Sequence, residues 1–366
     1  MTTLEKLRAL VVDDSAYNRR TITAMLHAQP GVEVVGRAVN GKEALRMAFD
    51  LNPDVITLDL EMPEMDGFSF LRLLMTKQPT PILVVSSYSQ RENVFRALEL
   101  GALDFIAKPT REVSPDIRNI EHDLRQKIEL VRKLQVVRLK ERARSLATLS
   151  RPTPTPAPAP AARAEVSDGI AAKRVIAVAA STGGPPAVQQ VLCALPGTLP
   201  AAILVAQHMP ARFTKAFADR LDRLVPLRVV EAVDGQRVCE GVVYIAPGSG
   251  NVEVVAGPDG AVIRVVPPDR EGRTGPVITP SGDHLFKSLS ARFGPAMCAV
   301  VLTGMGSDGR SGCQVAKAGG AHVIAEDPDA AVMPGMPYAV IDGGLADQVL
   351  PVEDMATALL EFCRRT

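Results

Sequence analysis

Short apolar runs alternate with amphipathic segments over most of the chain. In the first third, apolar positions gather at 8–12, 32–38, 54–58, 81–86 and 104–107. Between them lie segments with apolar residues at helical spacing, opening at Ser15, Gly41 and Gly67 and covering 91–100. Strand-sized runs separated by helix-sized ones predict parallel strands with crossover helices. From about residue 170 the same alternation returns, with apolar runs at 175–180, 202–206, 298–303 and 322–325 and Gly/Pro-rich punctuation at 247–250, 257–260 and 304–309. The two halves share no obvious repeat. The expected fold is α/β, two doubly wound parallel-sheet domains of different kinds.

The boundary between them is written in proline. Residues 151–163 alternate proline with small residues, which removes backbone donors and favours an extended polyproline II spacer. Just upstream, Ser114 before Pro115 suits a helix start, and Ile117, Ile120, Leu124, Ile128 and Val131 follow at helical spacing. The apolar stripe of that helix could pack on either domain. The expected division is 1–125 for the first domain, 126–168 for helix and linker, and 169–366 for the second domain.

Composition narrows the functional classes. The 366 residues suffice for two cores, and 41 basic against 41 acidic residues leave no net field to gather nucleic acid or an anionic membrane. No apolar run reaches the roughly 18 residues needed to span a bilayer, and the N-terminus carries no signal-like pattern, so a cytoplasmic, soluble protein is expected. The five cysteines are widely spaced and mostly set in apolar sequence, which reads as buried free thiols rather than a metal or redox pair.

Chemistry gathers at the predicted carboxyl ends of strands, the edge where open α/β sheets bind ligands. In the first half these ends carry Asp13 and Asp14, Asp59, Ser86 and Lys108. Three converging carboxylates repel unless a hard cation lies among them, and oxygen-only ligation suits Mg²⁺. Asp59 could then accept a phosphoryl group, with Mg²⁺, Lys108 and the Ser86 hydroxyl offsetting charge on its oxygens.

In the second half Ser181 follows the run 175–180, His208 follows 202–206, and Asp308 lies in the Gly-rich loop after 298–303. A neutral imidazole at His208 would take the Ser181 proton, with Asp308 fixing its tautomer. His322 starts its strand, at the wrong edge, and His284 sits in a helical pattern. Amides of Gly304, Met305 and Gly306 could serve an oxyanion, one such donor being worth about 3 kcal/mol. The rival reading of that loop is a phosphate cradle, which lacks the lysine-serine ending of a Walker motif. The serine lacks the first glycine of a G-x-S-x-G elbow, and the order Ser, His, Asp disfavours a lipase-like fold.

These residues carry two resemblances. Residues 8–125 resemble a receiver domain of two-component signalling, flavodoxin-like in fold, through Asp13-Asp14, the segment Asp59-Leu60-Glu61-Met62-Pro63-Glu64-Met65-Asp66-Gly67, Ser86-Ser87 and Lys108-Pro109. The resemblance implies phosphorylation of Asp59 by a chemosensory histidine kinase, Mg²⁺ held by Asp13, Asp14, Asp59 and the Glu61 carbonyl, switch positions at Ser86 and Phe105, and a cis Lys108-Pro109 bond. Residues from about 170 to 360 resemble the catalytic domain of chemotaxis protein-glutamate methylesterases, Rossmann-like in fold, through Ala180-Ser181-Thr182-Gly183-Gly184-Pro185, Gln207-His208-Met209-Pro210, Ala246-Pro247-Gly248, the run from Leu302 to Gly309, and Gly335-Met336-Pro337.

Together the two cover nearly the whole chain. They imply hydrolysis of glutamyl γ-methyl esters on methyl-accepting chemoreceptors with release of methanol, and deamidation of receptor glutamines. Ser181 would be nucleophile, His208 base and Asp308 orienter, with Thr182 near the imidazole and Met305 at the oxyanion site; no cofactor is implied for the esterase. An unphosphorylated receiver would cover the esterase crevice. Asn251, Ile278 to Asp283, Glu326, Pro328 and Tyr338 depart from the family pattern and are expected around the crevice, where they bear on which target is recognised. Two rival classes remain: a phosphorylation-controlled binding module without turnover, and a response regulator with DNA-binding output. The latter is disfavoured because the second half has no basic recognition helix.

Overall fold

A computed structural model describes residues 6–87, 91–108, 115–133, 169–268 and 278–364. The Pro/Ala-rich spacer, Ser114 and the Lys108-Pro109 bond lie outside the described residues. The chain divides into two compact units, Met1–Thr155 and Pro156–Thr366.

In the first unit, β1 (Leu7–Val12), β2 (Val32–Ala38), β3 (Val55–Asp59), β4 (Ile82–Ser86) and β5 (Asp104–Ala107) form one parallel sheet in the order β2-β1-β3-β4-β5. The helices α1 (Ala16–His27), α2 (Gly41–Leu51), α3 (Gly67–Lys77) and α4 (Arg91–Glu99) connect them. Their starts follow local rules: Ser15, Asn40 and Asp66 each accept an N–H from the first turn as N-caps. The strands β3 and β4 are buried throughout, as parallel strands covered on both faces should be. The order of strands reverses between β1 and β3, and ligands bind at such a switch point.

The helix α5 (Pro115–Lys133) answers the question its stripe left open. Ile120, Leu124, Ile128 and Val131 are buried, α5 packs against β5 and α1, and Arg132 donates to the Pro30 carbonyl at 2.7 Å. Its apolar face therefore belongs to the first unit.

In the second unit, β6 (Val175–Ala180), β7 (Ala202–Gln207), β8 (Arg228–Glu231), β9 (Val242–Ile245), β12 (Met297–Val301), β13 (His322–Glu326) and β14 (Gln348–Leu350) make a seven-stranded parallel sheet, ordered β14-β13-β12-β6-β7-β9-β8. The helices are α6 (Gly184–Cys193), α7 (Ala211–Leu224), α8 (Gly282–Phe293), α9 (Arg310–Ala318), α10 (Gly335–Asp342) and α11 (Val352–Arg364). One element breaks the parallel pattern: β10 (Asn251–Gly257) and β11 (Gly260–Val266) form an antiparallel hairpin. It packs on α8, where Val254 N–H donates to Ser288 Oγ at 2.7 Å and His284 Nε2 meets Glu253 Oε1 at 3.0 Å.

The middle strand β6 pairs with β12 on one side and β7 on the other, Ala179 opposite Val301 and Ala180 opposite Gln207. The loops after these three strands thus leave the sheet at one level. All five cysteines are free thiols, with Cys193 exposed and the other four buried. Among the described residues no helix is long and apolar enough to cross a membrane.

Candidate active site

The three loops after β6, β7 and β12 are sewn together by backbone before any side chain is considered. Ser181 N–H donates to the Thr303 carbonyl at 3.0 Å, and His208 N–H to the Ala180 carbonyl at 2.9 Å. Gly183 turns the chain into α6 with φ 77°, a left-handed conformation that a side chain would resist. Gly304 comes so near Ser181 that a Cβ there would lie 2.8 Å from Ser181 Cβ and 2.2 Å from Met336 Sδ. Glycine is the residue that permits that approach.

The structure brings His208 and Asp308 into direct contact, Nε2 to Oδ2 at 2.7 Å. Asp308 has further partners. Its Oδ2 also accepts Gly282 N–H at 2.6 Å, and Oδ1 accepts the Ser281 hydroxyl at 2.9 Å and Asp283 N–H at 3.0 Å. Gly282 and Asp283 open α8, so the carboxylate lies on that helix's unpaired N–H groups, where negative charge is favoured. Asp283 returns the favour at α9, accepting Gly312 N–H at 2.7 Å. Two helix N-termini cap one another across the site.

Burial opposes the Asp308 charge, yet the His208 contact and the amides of Asp283 and Gly282 outweigh it and hold the carboxyl near pKa about 2. An ionised carboxylate only accepts, so the His208 Nε2 facing it carries a hydrogen, and in the neutral ring the lone pair falls on Nδ1. The depressed pKa also fixes a pH dependence. Asp308 contributes stability that is complete above its ordinary pKa of 3.8 and lost as pH falls toward about 2, an effect of about 2 kcal/mol. Urea titrations at pH 6 and pH 2.5 should show this loss in the wild type, and a smaller one in Asp308→Asn.

Several residues that matter here had no role assigned from sequence. Gln207, buried at the end of β7, donates its amide to the Ser181 carbonyl at 2.9 Å and the His208 carbonyl at 3.2 Å. Thr303 joins three segments: its hydroxyl donates to the Thr182 carbonyl at 2.9 Å and accepts Met333 N–H at 2.8 Å, and its N–H donates to Glu326 Oε2 at 2.6 Å. Of the three amides considered for an oxyanion, Gly304 N–H is committed to the Met333 carbonyl at 2.9 Å. Thr182 is buried, and Met305 is half-buried beside Gly335. His322 begins β13 at the opposite edge, and His284 lies in the first turn of α8.

The departures expected around the crevice differ in exposure. Ile278 and Tyr338 are exposed, but Asn251 and Glu326 are buried, and both bond backbone N–H groups of the site's own loops. A polar group taken from water must be paired, and these two pair with Ser281 and Thr303.

In the first unit, Asp13, Asp14 and Asp59 offer oxygens within 4.8 Å of one another. Lys108 Nζ lies 2.6 Å from Asp59 Oδ2 and 3.8 Å from Asp13 Oδ2. Burial, helped by the Asp59 charge and opposed by Lys108, pushes Asp13 up to about 6. Burial likewise raises Asp59, against the opposing Lys108 contact. Asp13 Oδ2 is buried with no hydrogen-bond donor. Crowded, partly desolvated carboxylates with an unfilled acceptor fit a hard divalent cation. Ser86 is buried at the end of β4 and Phe105 within β5, and Glu61 lies in the loop after Asp59, its N–H 3.4 Å from Asp59 Oδ1.

Fold and sites define a class: an α/β unit with an acidic pocket at its switch point, joined to an α/β unit with serine, imidazole and carboxylate on one strand edge. Residues 176–359 match the CheB methylesterase family, and residues 9–114 the response regulator receiver domain. The chain is 45% identical over 368 residues to protein-glutamate methylesterase/protein-glutamine glutaminase 3 of Geobacter sulfurreducens, covering 98% of each. It is 45% identical over 359 residues to protein-glutamate methylesterase/protein-glutamine glutaminase 6 of Anaeromyxobacter dehalogenans, covering 98% of this chain and 96% of that one. The chain belongs to the CheB methylesterase family, with a receiver domain ahead of the esterase.

Proposed function

We propose that the chain hydrolyses glutamyl γ-methyl esters of chemoreceptors, deamidates receptor glutamines, and is driven faster by phosphorylation of its receiver domain. Residues 1–125 would act as receiver, 126–168 as helix and linker, and 169–366 as the hydrolase. The observation that carries the reading is the His208–Asp308 contact on the strand edge that also holds Ser181.

In this mechanism Ser181 Oγ attacks the ester carbonyl while its proton passes to His208 Nδ1. Asp308 keeps the opposite nitrogen protonated and offsets the imidazolium charge. The Met305 amide receives the developing oxyanion. His208 then returns the proton to the departing methoxide, giving methanol and an acyl-enzyme. Water, deprotonated by the same nitrogen, releases the glutamate and frees Ser181; an amide substrate loses ammonia instead. Thr182 lines the base.

In the receiver, Asp59 is the phosphoacceptor for a histidine kinase, and Asp13, Asp14, Asp59 and the Glu61 carbonyl would hold Mg²⁺. The ion, when bound, neutralises charge on the transferring phosphoryl group. Lys108 would pair with a phosphoryl oxygen, and Ser86 and Phe105 would respond to it. Methanol release from methylated receptor membranes should rise several-fold when Mg²⁺ and acetyl phosphate are added. Asp59→Asn should keep the basal rate and lose that rise. No release from a folded wild type, with or without phosphodonor, would overturn the reading in favour of a binding module.

A further inference from the structure

The carboxylate that orients the base is itself held by a chain of two side chains that starts in the hairpin. Asn251, the first residue of β10, is 3% exposed, and its Oδ1 accepts Ser281 N–H at 2.9 Å. Ser281 donates its hydroxyl to Asp308 Oδ1 at 2.9 Å, and Ser281 Oγ accepts His284 N–H at 3.3 Å.

A hydroxyl has one proton, and this one is spent on Asp308. The distinction matters because Ser281 is also the N-cap of α8. Capping asks only for an acceptor: aspartate would serve, and glycine costs only a few tenths of a kcal/mol. Neither offers the hydroxyl donor that Asp308 Oδ1 uses.

A carboxylate's terminal torsion is broad, so one held oxygen does not fix where the other points. At Asp308 the two oxygens divide their work. Oδ2 meets the imidazole and Gly282 N–H, while Oδ1 is held by Ser281 and Asp283. The Oδ1 pair sets the plane of the carboxylate and hence the direction of Oδ2 toward His208. The Asp283 donor is helix backbone, but the Ser281 donor must be aimed. Asn251 fixes the Ser281 backbone from the side of the hairpin, which Glu253 and Val254 anchor on α8 two and three residues further along.

We infer that Ser281 and Asn251 are positioning residues for the Asp308–His208 pair, through which the hairpin holds the catalytic carboxylate in register with the imidazole. The inference rests on the triad reading proposed above.

The test uses the full-length chain with Mg²⁺ and acetyl phosphate, and two readouts. One is methanol release from methylated receptor membranes, resolved into kcat and KM. The other is the His208 Nε2–H proton resonance in protein carrying ¹⁵N-histidine, which reports the contact with Asp308 without any substrate. Ser281→Gly keeps a tolerated cap and removes the donor. It should lower kcat about tenfold, the scale of one hydrogen bond to a charged group, leave KM within about twofold, and shift the resonance or lose it to exchange. Ser281→Thr restores the hydroxyl and should restore both. Asn251→Leu should act in the same direction, and the double variant Ser281→Gly/Asn251→Leu should fall little below Ser281→Gly, because both act on one contact.

Unchanged kcat and an unmoved resonance in Ser281→Gly would overturn the inference. So would a fall in kcat that tracks a lowered melting temperature while the resonance stays in place, the signature of a cap and nothing more. If wild type releases no methanol, the proposed function fails, yet the resonance in the same variants still decides the positioning role.

Discussion

Replacing Ser181 by alanine is expected to stop methanol release, with kcat falling by on the order of 10⁴ to 10⁶. The scale follows from the proposed mechanism: without the hydroxyl no acyl-enzyme would form, and the remaining imidazole and oxyanion donor would have only water to activate. The fold should hardly notice. The backbone bonds of this turn run from Ser181 N–H to Thr303 and from Gly184 N–H to the Ser181 carbonyl, and the Gln207 amide reaches that same carbonyl. None uses the hydroxyl, so melting should stay close to wild type, while ³²P-acetyl phosphate should still label the variant at Asp59. Gas chromatography of methanol from methylated membranes reads the first effect. A variant that keeps a tenth of wild-type release would remove Ser181 as nucleophile.

The second large effect is expected at Asp308. In Asp308→Asn one oxygen becomes an NH₂ group, while the site presents four donors: the His208 ring, the Ser281 hydroxyl and the N–H groups of Gly282 and Asp283. Whichever way the amide turns, it faces donors. If it turns its NH₂ to His208, it also favours the tautomer with hydrogen on Nδ1, and that nitrogen can no longer take the serine proton. A fall in kcat of on the order of 10⁴ is expected, with stability lowered by about 2 kcal/mol for the mismatched buried donors. Steady-state release at pH 7 to 9 checks the first, since a rate that recovers with alkaline pH would mean the base is merely mis-titrated rather than mis-aimed.

Much of this was legible in sequence because parallel strands announce themselves. Buried on both faces, β3, β4, β6 and β7 are written as largely apolar runs, and the candidate site residues stand at the last position of the strand or directly after it. Asp59, Ser181 and His208 could be placed by that rule alone. The hairpin of β10 and β11 lies outside the predicted strands, although Gly257-Pro258-Asp259-Gly260 between valine-rich runs is a turn signal. Ser281 was legible as part of a departing segment, but its hydroxyl acquires meaning only because tertiary structure lays the first turn of α8 against a loop 27 residues away. Glu326 and Asn251 show the same gap. A lone polar residue at a strand end looks like surface until the fold shows which backbone group it meets.

The place of β12 between β13 and β6 has a consequence for the order in which the chain acquires its chemistry. Ser181 and His208 are made close together, each directly after one of the adjacent strands β6 and β7. The strand that completes the other flank of β6 follows only later, and Asp308, whose carboxylate contacts the imidazole, lies a hundred residues after His208. Until then the nascent chain carries Ser181 and His208 without the Asp308 contact. Contacts of such long sequence separation are slow to form because a long loop must close first, so on the proposed reading the aligned pair becomes available only once β12 has joined the sheet.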